Sequence, residues 1–77
     1  MCKLTKNQIE VLELFYKGFN KKEIQKNAEL SPSSVDEALR RGKMNVDKAV
    51  ETIHMAVERG LMSSSQIHQL KQIYRKI

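Results

Sequence analysis

A helix-start signal recurs four times in this chain, and it constrains the fold more than any other feature. A helix N-terminus leaves backbone N–H groups without partners. A Ser, Thr, Asp or Asn at the N-cap accepts from one of them, a Gln or Glu three residues on reaches back, and an apolar pair brackets the turn. Leu4-Thr5-x-x-Gln8-Ile9 has every part of this pattern. Phe19-Asn20-x-x-Glu23-Ile24 and Met62-Ser63-x-x-Gln66-Ile67 repeat it. Leu30-Ser31-Pro32-x-Ser34-Val35 keeps the apolar pair and adds Pro at the first helical position, where its missing N–H is harmless. No stretch alternates apolar and polar residues over a strand's length, so the class is all-α, a small bundle of four to five helices.

Glycines mark the stops, because Gly just beyond a helix takes the left-handed conformation at little cost. Gly18 closes a first helix of about residues 6–17, a second covers about 21–28, Gly60 closes the one ending in Val57-Glu58-Arg59, and the last runs from about 64. Gly42 leaves two possibilities open. It separates a third helix from a fourth of about 44–59, or it is a weak point in one long helix, costing about 1 kcal/mol relative to Ala.

The most informative connection joins the second helix to the third. Two short helices linked by Ala28-Glu29-Leu30-Ser31, the later one capped by Ser31-Pro32, match the helix-turn-helix that enters a DNA major groove. Such a unit needs inward apolar residues twice in the first helix, once in the turn and twice in the second helix. Ile24, Ala28, Leu30, Val35 and Ala38 supply all five.

These residues resemble the helix-turn-helix of LuxR/FixJ (GerE-type) regulators. Leu4-Thr5, Glu10-Val11-Leu12, Gly18, Lys22-Glu23-Ile24, Leu30-Ser31 and Val35 stand at that family's signature positions. From Arg41 onward, RGKMNVDKAVETI is similar to the segment after the recognition helix in archaeal Tfx-type regulators, through Arg41, Lys43, Asn45, Val46, Asp47, Lys48, Ala49 and Thr52. Residues Ala56 to Leu61 look like the end of the LuxR-type fourth helix, and the last helix lies outside the resemblance. Within one domain spanning 1–77, the expected parts are a helix-turn-helix core (4–41), a fourth helix (43–60) and a C-terminal amphipathic helix (63–77). Gln25 departs from the family's usual Ala, so it either separates the two helices or lies along their interface.

The resemblance implies that the recognition helix presents Ser33, Ser34, Asp36, Glu37, Arg40 and Arg41 to double-stranded DNA. Two carboxylates near phosphates lower affinity, although one can accept from cytosine N4 and give base preference. On a solvated helix, the same acids simply favour the positive N-terminal end. The net charge of +5 does not concentrate on this helix. Residues 1–30 carry six Lys against four Glu, 31–59 balance five bases with five acids, and 60–77 hold three bases and no acid. Lys21 and Lys22 open the second helix, while Arg40, Arg41 and Lys43 stand at the far end of the third, so the two groups flank a groove as phosphate anchors. With Ser31, Ser33, Ser34 and Glu37 they form the expected DNA-binding set.

Leu39, Gly42, Val46, Ala49, Ile53 and Ala56 recur at spacings of three and four, with Val50 and Val57 widening the stripe. Either it packs on Leu12, Phe15 and Phe19, or a partner covers it. The LuxR-type fourth helix pairs with its twin, which implies a homodimer through Val46, Ala49, Val50, Ile53, Ala56 and Val57. Its two recognition helices would then sit about 34 Å apart. The C-terminal helix shows Ile67, Leu70, Ile73, Tyr74 and Ile77 on one face and basic and polar residues on the other. It packs on the domain or on a second subunit, or as a basic amphipathic helix it meets a membrane surface or an acidic partner.

Other functions find little support. Cys2, His54 and His68 are scattered without metal-ligand spacing, and His54 with Glu58 reads as a surface pair; no nucleophile-base pair or phosphate-cradling glycine loop occurs. The expectation is no enzyme, no metal, no cofactor and no small-molecule ligand. Cys2 reads as a neutral terminal residue in a reducing compartment. No apolar run approaches the roughly 18 residues of a membrane span, and the N-terminal segment lacks a signal-peptide pattern, so the expected location is cytoplasmic. The expectation from these 77 residues is a regulator without a sensor domain, controlled through its abundance or a partner. Two functions remain: a sequence-specific DNA-binding transcription regulator, or a protein-interaction module, such as an antirepressor or complex subunit, that keeps the fold without binding DNA.

Overall fold

The structure, a computed structural model, describes residues 3–77, and the expectation for Cys2 lies outside them. The chain forms α1 (Lys6–Tyr16), α2 (Lys21–Ala28), α3 (Pro32–Arg59) and α4 (Ser64–Tyr74), with no strand among the described residues. Each helix begins where cap chemistry places it. The Thr5 hydroxyl accepts from the Gln8 N–H at 3.2 Å while Gln8 accepts from the Thr5 N–H at 3.1 Å. Asn20 with Glu23 and Ser63 with Gln66 form the same reciprocal pairs. Ser31 caps α3 by accepting from the Ser34 N–H, with Pro32 in the first turn. At the other end of α3, Gly60 is left-handed at φ +66°, and its N–H bonds back to the carbonyls of Ala56 and Val57.

Of the two possibilities for Gly42, the continuous helix is the one realised. The separate fourth helix expected over 43–60 is instead the distal half of α3, which runs unbroken for 28 residues. The reason lies in packing. A Cβ built on Gly42 would stand 2.8 Å from Leu12 Cδ1 and 3.2 Å from its Cγ, so the missing side chain is what lets α1 cross α3 this closely.

The core is sealed around that crossing by Val11, Leu12, Ile24, Val35, Ala38 and Leu39, with Leu4, Leu14, Phe15, Phe19 and Leu30 packed at its margin. Ile24, Val35 and Ala38 of the expected helix-turn-helix set are buried, and Ala28 and Leu30 are half-buried. Gln25 is also half-buried beside the fully sealed Ile24. A polar clasp adds to the crossing: Asn45 Nδ2 donates to Gln8 Oε1 at 3.3 Å and reaches the Lys3 carbonyl at 3.5 Å.

The long apolar stripe therefore divides. Its proximal part, Leu39 and Gly42, packs on α1, whereas Val46, Val50, Ile53 and Val57 remain exposed beyond the core. A 28-residue helix is about 42 Å long, which accounts for the molecule's longest extent of 43 Å. The radius of gyration is 15.3 Å, against about 11.5 Å for a compact domain of this length.

Candidate nucleic-acid interface

The connection from α2 to α3 is three residues, Glu29 to Ser31. Glu29 takes the left-handed conformation, φ +56° and ψ +44°, and its N–H bonds to the Gln25 carbonyl. That single left-handed residue turns the chain so that Ile24 and Val35 meet in the core and the first half of α3 keeps one face in solvent. Ser33, Glu37, Arg40 and Met44 recur at three and four along this face, with all four exposed.

The flanks of that crest carry the ion pairs. Lys21 Nζ, from the first turn of α2, lies 2.8 Å from Asp36 Oδ1 and ties the two helices of the motif together on one side. On the crest, Arg40 Nη2 stands 3.1 Å from Glu37 Oε2, and Arg41 Nε contacts Oε1 of the same carboxylate. The hydrogen bond from Arg40 holds the Glu37 carboxyl below its ordinary value; desolvation opposes the shift, and the charges of Arg40 and Arg41 add to it. All these groups are exposed, so the pairs are rearrangeable rather than structural.

The expected site residues are only partly gathered. Arg40, Arg41, Glu37, Ser33 and Ser34 share one end of the surface. Ser31 donates to the Ser34 hydroxyl at 2.8 Å and lies 3.3 Å from that of Ser33, giving a polar cluster at the start of α3. Lys21 sits across from them on Asp36, while Lys22 has no acidic partner within 4 Å among the described residues. Lys43 departs from the expected cluster with Arg40 and Arg41. Two residues beyond Arg41 it is carried around to the other flank, where its Nζ lies 4.1 Å over the Phe15 ring. That cation–π contact holds it on the α1 side of α3, away from Arg40 and Arg41.

An open cleft of about 510 Å³ separates the start of α1 from this crest, lined by Thr5, Asn7, Gln8, Ser33, Ser34, Glu37, Ala38 and Arg41. Asn7 was not among the expected contacts, since its position in the first turn of α1 reads only as a cap neighbour; here it lines the cleft with Ser34 and Arg41. Such a concave, polar, arginine-edged surface beside an exposed helix suits a phosphate backbone running past a groove-bound α3. Among the described residues, no group of three or more His, Cys, Asp or Glu is placed to hold a metal ion. No helix of the described chain is long and apolar enough to cross a membrane. His54 Nδ1 lies 3.4 Å from Glu58 Oε1, a pair on the open surface of distal α3.

Comparison with known proteins fits this geometry. Neither curated proteins nor solved structures returned a match. The model of the GerE family, described as bacterial regulatory proteins of the luxR family, matches residues 2–56, which takes in α1, α2 and most of α3 and leaves α4 outside. The helix-turn-helix of α2 and α3 is thus that of a regulatory DNA-binding domain, and the chain belongs to the GerE family of luxR-type bacterial regulatory proteins.

Proposed function

We propose that the protein is a sequence-specific transcription regulator that binds double-stranded DNA as a homodimer in the cytoplasm, with the first half of α3 in the major groove. The observation that carries this is the exposed crest Ser33, Glu37, Arg40 and Met44 on the second helix of a sealed helix-turn-helix, within the family match. Ser33 and Ser34 near the start of α3 supply short donors and acceptors for base edges. Lys21, Lys22, Arg40 and Arg41 supply phosphate anchors on either side.

Exposure of Val46, Val50, Ile53 and Val57 supports pairing through distal α3. Residue 33 lies about 26 Å along the helix from residue 50, a reach long enough for two chains paired through distal α3 to set their reading ends one groove turn, about 34 Å, apart.

A second function, a protein-interaction module without DNA, is favoured by one observation: Asp36 and Glu37 already occupy Lys21, Arg40 and Arg41. Selection of bound duplexes from random DNA separates the two. A recurrent sequence, bound far more tightly than its scrambled form, is expected for the regulator. Absence of enrichment, with no binding at low salt, identifies the module.

A further inference from the structure

The C-terminal helix α4 lies outside the family match. Its relation to α3 is unusual. Residues 60–63 fold α4 back toward α3, yet no α-carbon of one helix comes within 8 Å of an α-carbon of the other. Two open, nearly wholly apolar grooves remain between them, of about 270 Å³ along Val57, Met62 and Ile67 and about 470 Å³ along Ile53, Leu70 and Tyr74. A hairpin splayed in this way leaves apolar faces on both its arms.

The chain exposes 6532 Å², against about 4,800 Å² for a compact monomer of this mass. If a second copy covered that excess of roughly 1,700 Å² on each chain, the pair would bury about 3,400 Å², inside the range of obligate homodimers.

The chain's own hairpin leaves these faces open, and charge sets the direction in which a second copy can cover them. On distal α3 the ridge Val46, Val50, Ile53 and Val57 is bordered, one position along, by Asp47, Glu51, His54 and Glu58. On α4 the ridge Ile67, Leu70 and Tyr74 is bordered, one position along, by His68, Lys71 and, at the C-cap, Arg75, and the helix has no acid. Each helix thus carries its charged ridge on the same side of its apolar ridge. For two right-handed helices packed face to face, such ridges come together only when the helices run antiparallel; in parallel packing they fall on opposite sides.

We propose that α4 lies antiparallel across distal α3 of a second copy, its Lys71 and Arg75 against the partner's Asp47 and the partner's Glu51, and its apolar ridge against the partner's Val46 and the partner's Val50. Reciprocal docking builds a four-helix bundle from two hairpins. It rests on the homodimer proposed above and gives α4 the task of closing it.

Sedimentation of the whole chain without DNA tests this with Lys71→Glu/Arg75→Glu and Asp47→Lys/Glu51→Lys variants. All four positions are exposed, so helix content by circular dichroism should be unchanged. Wild type should dimerise, each double variant should dissociate at least tenfold more readily, and an equimolar mixture of the two should recover a heterodimer, since both interfaces regain opposite charges. A wild-type dimer unaffected by either reversal overturns the role of α4 and leaves the homodimer standing. A wild type that stays monomeric at every concentration overturns both.

Discussion

Arg40 Nη2 lies 3.1 Å from Glu37 Oε2, and Arg41 holds the other oxygen of the same carboxylate, so one acid occupies both arginines of the proposed DNA-binding face. A phosphate that recruits either arginine must displace Glu37 first. Glu37→Gln should therefore raise affinity for DNA of any sequence. It should also steepen the fall of log affinity with log salt by about 0.9 for each further phosphate a freed arginine reaches. Anisotropy titrations over a salt series measure both; an unchanged slope means the pair does not restrain the arginines. If Glu37 accepts from a cytosine, the selected sequence changes as well.

The same carboxyl gives a pH dependence. Its value is lowered in the folded chain, so its stabilising interaction is present above the ordinary Glu range and is lost as pH falls through the lowered value. Near neutral pH the pair is intact. General DNA affinity measured on the folded protein should rise as pH drops below the ordinary Glu range, and Glu37→Gln should flatten that rise.

Gly42 sits under Leu12, and its substitution should show packing overriding propensity. Ala gains about 1 kcal/mol in a helix interior relative to Gly. Crowding a filled core costs about 1–3 kcal/mol, so Gly42→Ala should lower stability by about 1 kcal/mol net. In a Leu12→Ala background the obstructing atoms are gone, and the same substitution should become stabilising by about 1 kcal/mol. Denaturant unfolding of the four proteins measures the reversal of sign.

Glu29 is the one non-glycine residue at positive φ among those described. The left-handed conformation costs a residue with a Cβ roughly 1–2 kcal/mol, while Gly costs roughly 0.5–1 kcal/mol in lost chain entropy. Glu29→Gly should stabilise the fold by about 0.5–1 kcal/mol, read as a higher urea midpoint at unchanged slope. Glu29→Ala should bring no such gain.

Val50 is 60% exposed in the isolated chain. Val50→Glu should change the stability of the monomer by no more than about 0.5 kcal/mol, as for surface positions generally. It should nevertheless abolish dimers in sedimentation and weaken DNA binding, because two reading helices would no longer be held together.

The helix starts were legible because capping is local: Thr5 with Gln8, Asn20 with Glu23 and Ser63 with Gln66 each lie within one turn. The core of the helix-turn-helix was legible through Ile24, Leu30, Val35 and Ala38 for the same reason, since a three-residue turn ties their register. Gly42 was ambiguous because its meaning depends on Leu12, thirty positions away, and nothing near Gly42 signals that crossing. Glu29 hid a left-handed turn residue, where Gly or Asn would have announced one. Lys43 was grouped with Arg40 and Arg41 by proximity along the chain, but a helix turns about 100° per residue and delivers it to Phe15 instead. The acids Asp36 and Glu37 stood out on the expected recognition helix, either lowering affinity, reading a base or lying on a solvated face, whereas their particular partners depend on side-chain reach that spacing alone leaves open.

The most direct test of the central claim is the affinity of the whole chain for a duplex enriched by selection from random DNA, titrated beside its scrambled form at several salt concentrations. The account predicts preferential binding to the enriched duplex, two chains per site with half-sites about one helical turn apart, and affinity that falls steeply with salt. No enrichment, together with equal and negligible binding to both duplexes at low salt, would contradict it.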